Sequence, residues 1–319
     1  MSHSASRQLS RRSFTKQAVA AATMATAISS PLDAKPTEYP KGKYVDIHVH
    51  LGQRWNSRGE LSPKMMLDWM DANEIAQAAV LSLVSPEAWF YQITPEYVLK
   101  QTEGHRDRLL PWVTVDPRTL NLGGRKGIAD ILQRYKDAGA VGFGEHKWGG
   151  PIDDPRNMEV FHGCSEVGLP VLFHMDNSRN MDQPGLPGLE KVLKAFPNVN
   201  FIGHAQGWWG SISGNLQKGQ MSGYPKGPVV MGGAIDRLME KYPNIYGDLS
   251  AGSGANAISR DVEFGRSFLI RRADRILFGT DYLMVNQRIP QFKLHNSLDL
   301  PEDVQAKIFR DNARRLMNI

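Results

Sequence analysis

Two histidines in the stretch KYVDIHVHLG, residues 43–52, have a spacing that suits metal binding. Alternate side chains of a β-strand share a face, so the pattern predicts that Asp46, His48 and His50 point together, with the intervening valines and isoleucine pointing oppositely. Two imidazoles beside a carboxylate are typical of a site for a divalent cation. An isolated His-x-His is equally typical of a solvated strand face, so the rest of the chain must decide.

Eight strand-like runs recur through residues 40–319, and helical stretches separate them. The runs are rich in Val, Ile, Leu and Phe and cover residues 44–52, 76–84, 109–117, 140–149, 169–176, 199–207, 245–252 and 275–283. Stretches such as GIADILQRYKDAG place apolar residues at the three-and-four spacing of a helix. Eight β–α units predict an α/β fold, a (β/α)8 TIM barrel of the metal-dependent hydrolase type, as a single domain over residues 36–319. The rival, a doubly wound open sheet, needs a Gly-rich phosphate turn after the first strand, and HLGQRW offers none.

Polar residues stand where these runs end, which is the active-site end of such a barrel. They are His48 and His50 on the first run, Glu145 and Lys147 on the fourth, His174 and Asp176 on the fifth, His204 on the sixth, Asp248 and Ser250 on the seventh, and Asp281 on the eighth. Histidine and carboxylate side chains are the ligands that a catalytic zinc ion takes. We therefore expect a metal site here, and we expect solvated surface positions for His105, His162 and His295.

Several motifs carry a family resemblance over residues 40–319. They are DIHVH at 46–50, LFHMD at 172–176, FIGHAQG at 201–207, YGDLSAGSG at 246–254, RILFGTDYL at 275–283 and IFRDNARRL at 308–316. The sequence resembles the amidohydrolase superfamily, and within it the amidohydrolase-related family 2 group, which includes aminocarboxymuconate semialdehyde decarboxylase-like enzymes and dicarboxylate lactonases.

The resemblance implies a ligand set. His48, His50, His174 and Asp281 would bind one zinc-like ion, and His204 would stand near the metal-bound water or a substrate oxygen. Glu145 complicates the match, because a fourth-strand acid bridges two metals in binuclear members, and His204 would then ligate the second ion. One ion, with Glu145 among its ligands, is the favoured interpretation. Two ions, or Glu145 as a structural partner of Lys147, are the alternatives.

Such a site predicts hydrolysis of a small ester, lactone or amide. A zinc ion lowers the pKa of its bound water from ~15.7 to ~7. Asp281 would ligate the ion and exchange a proton with the water and leaving group, while His204 would stabilise the oxyanion. The alternative is metal-dependent non-oxidative decarboxylation of a small unsaturated or aromatic carboxylate. A non-catalytic binding barrel is disfavoured, because no ligand of the expected set is missing.

Candidate substrate-binding residues follow the strand ends. Arg54 and Lys147 could bind a carboxylate, the former bidentately and the latter as a point charge. Four tryptophans follow strand ends, and they predict either an aromatic wall for an apolar or ring-shaped substrate or the packing of loops over the barrel; they are Trp55, Trp148, Trp208 and Trp209. The Gly-rich segment 207–233 lacks clear periodicity, so it is expected to be a functional lid or poorly ordered.

The N-terminal stretch SRRSFTKQAVAAATMATAIS resembles a twin-arginine export signal. Arg11 and Arg12 precede a Phe, a Lys and then an uncharged, Ala-rich run shorter than a membrane span. We therefore exclude residues 1–35 from the fold and expect a mature protein beginning near residues 28–36. The prediction is export of the folded protein by the twin-arginine machinery to the periplasm or medium, without a membrane anchor.

Charge and cysteine content narrow the remaining function classes. The chain has 38 basic and 33 acidic residues, and residues 1–35 hold five of the former and one of the latter, which leaves 33 against 32. Because the rest of the chain has so little excess positive charge, its charge does not indicate nucleic-acid binding. Cys164 is the single cysteine, so no internal disulfide can form, and we expect a packed core thiol. The expected partner is a small-molecule substrate, and association into a homo-oligomer is left open.

Overall fold

The computed structural model describes residues 39–53 and 59–319, so the predicted signal over residues 1–35 lies outside the described part. Eight parallel strands form one sheet in chain order. They are β1 (Tyr44–Val49), β2 (Ile75–Leu81), β3 (Leu109–Val113), β4 (Gly142–His146), β5 (Val171–His174), β6 (Phe201–His204), β7 (Ile245–Asp248) and β8 (Ile276–Leu277).

The last strand returns to the first and gives a nearly closed barrel. The Ile47 N–H donates to the Phe278 carbonyl and the His50 N–H to the Tyr282 carbonyl, both at 3.0 Å. The predicted (β/α)8 barrel is confirmed, and the doubly wound alternative is wrong, because an open sheet would not join its first strand to its last.

Helices follow the strands at the predicted places. They are α1 (Pro63–Ala72), α2 (Pro95–Thr102), α3 (Gly124–Asp137), α4 (Pro155–Val167), α5 (Pro187–Ala195), α6 (Ala205–Gly210), α7 (Ala234–Lys241), α8 (Ala251–Ser259), α9 (Val262–Arg271), α10 (Pro290–Ser297), α11 (Glu302–Ala306) and α12 (Asn312–Met317). A side-chain oxygen of the preceding residue caps α1, α2 and α4, each of which then opens with proline. None of the described helices is long and apolar enough to cross a membrane.

Two apolar clusters lie on opposite sides of the strands. The larger fills the space between strands and helices and includes Cys164, which is free and fully buried as expected. The smaller joins Val45 and Ile47 to other strands and to Met317 of the last helix. Val49 belongs to the larger cluster, so the prediction that it shares a face with Val45 and Ile47 is wrong. The register of β1 against β2 shifts between Asp46 and Val49, which breaks the strict alternation.

His295 on α10 is buried at 2% exposure, so its predicted surface position is wrong. Its ring packs against Phe278 and Phe309, and neither ring nitrogen has a hydrogen-bond partner among the described residues. Burial first, and then the nearby ammonium of Lys43, lower the pKa of His295 from 6.5 to about 4. The helical period placed His295 on α10 but could not show which face the barrel covers.

We expect this histidine to make the fold sensitive to acid. The unfolded chain takes up a proton near pH 6.5 and the folded chain does so only near pH 4, so stability falls as the pH is lowered across that window. The loss is about 3 kcal/mol, at ~1.4 kcal/mol for each unit of pKa shift. Replacing His295 with Leu should remove this contribution, and urea unfolding at pH 7 and pH 4.5 measures it. Equal losses in the two proteins would show that His295 does not carry the effect.

Candidate metal centre

Four donor atoms converge at one end of the barrel. They are His48 Nε2, His50 Nε2, Glu145 Oε2 and Asp281 Oδ1. The two nitrogens are 3.1 Å apart, and each lies 3.3–3.6 Å from the two carboxylate oxygens. Four ligands at zinc bond lengths of ~2.0–2.1 Å in a tetrahedron are about 3.3–3.4 Å from one another. Five donor–donor distances, those between the two nitrogens and from each nitrogen to the two carboxylate oxygens, therefore match the spacing of ligands around one zinc ion.

The outer hydrogen bonds orient both histidines with Nε2 toward the cluster. His48 Nδ1 is 2.7 Å from Asp248 Oδ2, and His50 Nδ1 is 3.0 Å from the Leu81 carbonyl. We assign the Nδ1 protons from these acceptors, which leaves two Nε2 atoms facing each other with room for one proton or one cation between them. Although burial opposes it, the carboxylates of Glu145, Asp281 and Asp248 raise the pKa of His48 well above its usual value. A metal ion can take the place of that proton.

The two carboxylate oxygens of the cluster also favour a bound cation. Glu145 Oε2 and Asp281 Oδ1 are both buried, and Asp281 Oδ1 accepts no hydrogen bond from the described residues. Lys147 Nζ lies 2.8 Å from Glu145 Oε2 and partly balances its charge. Two carboxylates removed from water are costly unless their charge is balanced, and one ammonium group does not balance both. Together with the facing nitrogens, they show that these residues fit a divalent ion.

Asp281 reaches the cluster through a local backbone feature. Its φ is 56°, in the left-handed region that few residues other than glycine adopt, and its N–H donates to the His48 carbonyl at 2.8 Å. Asp46 ties the same segment to β1, because its carboxylate accepts from Thr280 Oγ1 at 2.5 Å and from the Thr280 N–H at 3.0 Å. Burial is the main cause that raises the pKa of Asp46 to about 7. Asp46 thus holds the strand ends together, beside the donors.

His174 lies apart from the four converging donors. Its Nδ1 is 2.9 Å from Glu145 Oε1, and its Nε2 is 3.1 Å from Asp176 Oδ2. His204 Nε2 is 3.7 Å from the same Glu145 oxygen. The sequence grouped His174 with His48, His50 and Asp281. The structure places Glu145 Oε2 3.3–3.4 Å from His48 and His50, and groups the donor atoms of His174 and His204 with Glu145. Glu145 therefore lies between two donor groups, a position that fits one ion beside His48 and His50 as well as an ion on each side.

Asp248 contacts the candidate site, although the sequence placed it only at a strand end. Its Oδ2 is 2.7 Å from His48 Nδ1, 3.0 Å from His204 Nδ1 and 2.7 Å from Ser250 Oγ. Although burial opposes it, the two histidines lower the pKa of Asp248 well below its usual value. Burial and the neighbouring His48 lower the pKa of His204. A neutral His204 that donates from Nδ1 presents a lone pair at Nε2, which suits a ligand or proton acceptor better than the predicted oxyanion donor.

The predicted substrate-binding residues are only partly brought to the opening. Lys147 lies beside Glu145, while Arg54 and Trp55 lie outside the described residues. Trp148 and Trp208 are packed away at 2% and 0% exposure, so these two side chains do not form an open aromatic wall. Trp208 lies against Gly203 and Phe173, and Trp209 donates to the Asp248 carbonyl at 2.6 Å. The aromatic ring beside Lys147 is that of half-buried Trp89, 5.8 Å from its Nζ, which follows a predicted strand end and was missed.

Comparison with known proteins assigns the family. Residues 45–319 match the family described as Amidohydrolase. The chain belongs to the amidohydrolase family. No curated protein matches this amidohydrolase.

Solved structures share its fold. The 2,6-dihydroxybenzoate decarboxylase from Rhizobium aligns with a TM-score of 0.53 and 19% identity, covering 86% of this chain and 98% of that one. A probable 2-pyrone-4,6-dicarboxylic acid hydrolase from Acinetobacter baumannii aligns with a TM-score of 0.58 and 12% identity. The alignment covers 87% of this chain and 100% of that one. The 5-carboxyvanillate decarboxylase from Novosphingobium aromaticivorans, complexed with manganese, aligns with a TM-score of 0.51 and 16% identity. The alignment covers 80% of this chain and 79% of that one.

We expect Asp248 to control metal affinity without being among the four donors. The Asp248→Asn variant keeps the shape but offers an uncharged amide where two Nδ1–H groups need an acceptor. Metal affinity should fall by about 10–100-fold, the usual effect of losing an outer partner of a ligating histidine. Isothermal titration of the metal-free protein with zinc measures it. Ser250→Ala, which removes one hydrogen bond to the same oxygen, is the matched control and should change the affinity less; unchanged zinc affinity in Asp248→Asn would contradict the assigned role.

Proposed function

We propose that this amidohydrolase is a metal-dependent hydrolase of a small ester, lactone or amide. The observation that carries the proposal is the cluster of four donors around one cation-sized space. Among the four, the side chains of His48, His50 and Glu145 are 0% exposed, and that of Asp281 is 18% exposed. The ion would thus contact three fully buried side chains and be accessible to water and substrate on the side of Asp281.

A divalent ion in this space would lower the pKa of a water molecule and polarise a substrate carbonyl. Asp281, at the open side, is placed to accept the proton of that water and to return it to the leaving group. His204 Nε2 offers a second proton acceptor or ligand. Lys147 adds a positive charge next to Glu145, where an anionic group of the substrate would be attracted.

We propose a single zinc ion held by His48, His50, Glu145 and Asp281. Two nitrogens and two carboxylate oxygens suit zinc, although manganese would also accept carboxylates. His174 and His204 would then contact the substrate or water. Metal analysis of the purified protein tests this proposal: one zinc per chain supports it, and two ions per chain would assign His174 and His204 as ligands.

Decarboxylation is the second candidate, and the Lys147 ammonium supports it. This cation lies at the edge of the site with the Trp89 ring 5.8 Å away, a pairing able to hold an aromatic carboxylate. We favour hydrolysis because Asp281 stands at the open side, where water activation needs a base. The two reactions differ in their products.

Turnover in water enriched with oxygen-18 separates the two candidates. The screen uses lactones, esters, amides and aromatic carboxylates, with mass spectrometry of the product and an enzyme-coupled assay for CO2. Hydrolysis predicts one labelled oxygen in the product carboxylate and no CO2. CO2 release with an unlabelled product would replace hydrolysis by decarboxylation.

We expect Asp281→Asn to separate metal binding from proton transfer. The amide keeps a potential oxygen ligand but cannot accept the proton, so the variant should retain part of its metal while turnover falls by ~10²–10⁴-fold, the usual contribution of a positioned acid or base. Metal content and kcat are measured on the same sample. A control, Asp176→Asn, changes a carboxylate outside the four donors. Near-normal turnover in Asp281→Asn at full metal content would remove Asp281 from the chemistry.

We also propose that the chain is exported by the twin-arginine route, on the evidence of the paired arginines in its N-terminal sequence. Replacing Arg11 and Arg12 by Lys keeps the charge but removes the guanidinium groups of the motif. We expect the double variant to remain in the cytoplasm, as measured by immunoblotting of periplasmic and cytoplasmic fractions. Equal periplasmic amounts of the variant and the unchanged chain would contradict the proposal.

A further inference from the structure

A second pocket lies in the long connection between β6 and α7, in the segment predicted to be a lid. Residues 211–233 contain a 3₁₀ turn at Lys218–Ser222 and otherwise irregular backbone. They enclose a cavity of about 290 Å³ together with Arg260, which follows α8. Polar side chains and two cations line it, and none of its lining residues belongs to the metal donors.

Arg260 is the unusual member of this lining. Its Nε and Nη2 atoms are buried and have no hydrogen-bond partner, and the guanidinium forms no ion pair with any described residue. Burial lowers its pKa, and the neighbouring Asp261 only partly opposes this effect. Arg260 is half-buried as a whole, and the two nitrogens that are out of water without a partner carry a cost. An anion next to it would offset that cost.

Asp261, the next residue, forms no ion pair with Arg260 within the described residues, and backbone groups hold both of its carboxylate oxygens. Its Oδ1 accepts from the Phe264 N–H at 3.2 Å and its Oδ2 from the Val229 N–H at 3.0 Å. Asp261 is not among the cavity-lining residues, whereas exposed Lys226 is one of them. The cavity lining therefore carries two positive charges and no acid.

The amide side chains leave donors rather than acceptors toward the cavity. Asn215 Oδ1 accepts from Ser213 Oγ at 2.8 Å, and Gln220 Oε1 accepts from the Gln217 N–H at 2.9 Å. Each of these oxygens already accepts one hydrogen bond, and neither NH2 group donates to another described residue, so the NH2 groups of Asn215 and Gln220 are spare donors. Two cations and two spare NH2 groups complement a ligand that is negative and rich in acceptor oxygens.

We propose that this pocket binds a small oxyanion, a phosphate or carboxylate group, between Arg260, Lys226, Asn215 and Gln220. The occupant would join the β6–α7 connection to the end of α8 and so fix the segment that follows His204. The proposal is independent of the reaction at the metal centre.

The test is calorimetric titration of the full, metal-loaded chain with inorganic phosphate and, separately, with acetate, at constant ionic strength set with chloride. Stronger binding of one probe identifies the group that the pocket takes. We expect Arg260→Gln to weaken binding by tenfold or more, since one charge-assisted contact of ~1.4 kcal/mol corresponds to tenfold. Lys226→Gln, at an exposed position, should weaken it less and serves if Arg260→Gln does not fold.

Two controls separate this pocket from other sources of anion binding. Arg134→Gln, which changes an exposed arginine on α3, should bind as the unchanged chain does. Asp281→Asn should also leave anion binding at the pocket unchanged, because Asp281 is not among the pocket's lining residues. Phosphate that binds at the metal centre would instead bind more weakly to this variant. Binding that is lost in Asp281→Asn and kept in Arg260→Gln and Lys226→Gln would overturn the proposal, as would no binding of either probe above the chloride background.

Discussion

The site depends on the electrostatics of carboxylates and imidazoles held together without water. Glu145 and Asp281 direct oxygens to within 3.6 Å of His48 Nε2, and Asp248 lies on the opposite side of the same ring. In a protein interior of low effective dielectric, such negative charges repel each other strongly unless positive charge lies between them. The bound proton on His48 and the Lys147 ammonium supply some of it, and a divalent ion in the four-donor space would supply more. The arrangement is therefore best understood as one that a cation completes.

The barrel makes this arrangement geometrically available. Parallel strands bring their carboxyl ends to one edge, so donors far apart in sequence become neighbours. The closure of β8 on β1 is the decisive contact, because the Asp281 N–H donates to the His48 carbonyl and Thr280 is bound to Asp46. Asp248, on the adjoining strand, then sets the orientation of His48 and His204. The metal donors and their supports thus belong to one hydrogen-bonded network.

Much of this could be predicted from the sequence, because hydrophobic runs ending in polar residues reveal both the strands and the active-site edge. His48, His50, Glu145 and Asp281 were found in this way. His174 was placed at a strand end in the same way, but its contacts with Glu145 and Asp176 were not predicted, since strand position alone does not determine where a side chain points. The outward position of Val49 depends on a register shift in β1, and the burial of His295 depends on which helix face the barrel covers. Trp148 and Trp208 follow strand ends, but their side chains are buried. Strand position alone does not determine the direction of a side chain in the loop that follows.

The most direct measurement of the central claim is anomalous diffraction at the zinc absorption edge from crystals of the zinc-loaded protein. The account predicts one strong peak within about 2.0–2.2 Å of His48 Nε2, His50 Nε2, Glu145 Oε2 and Asp281 Oδ1. A peak held by His174 and His204 alone, or no ordered peak near His48 and His50 in zinc-loaded crystals, would contradict it.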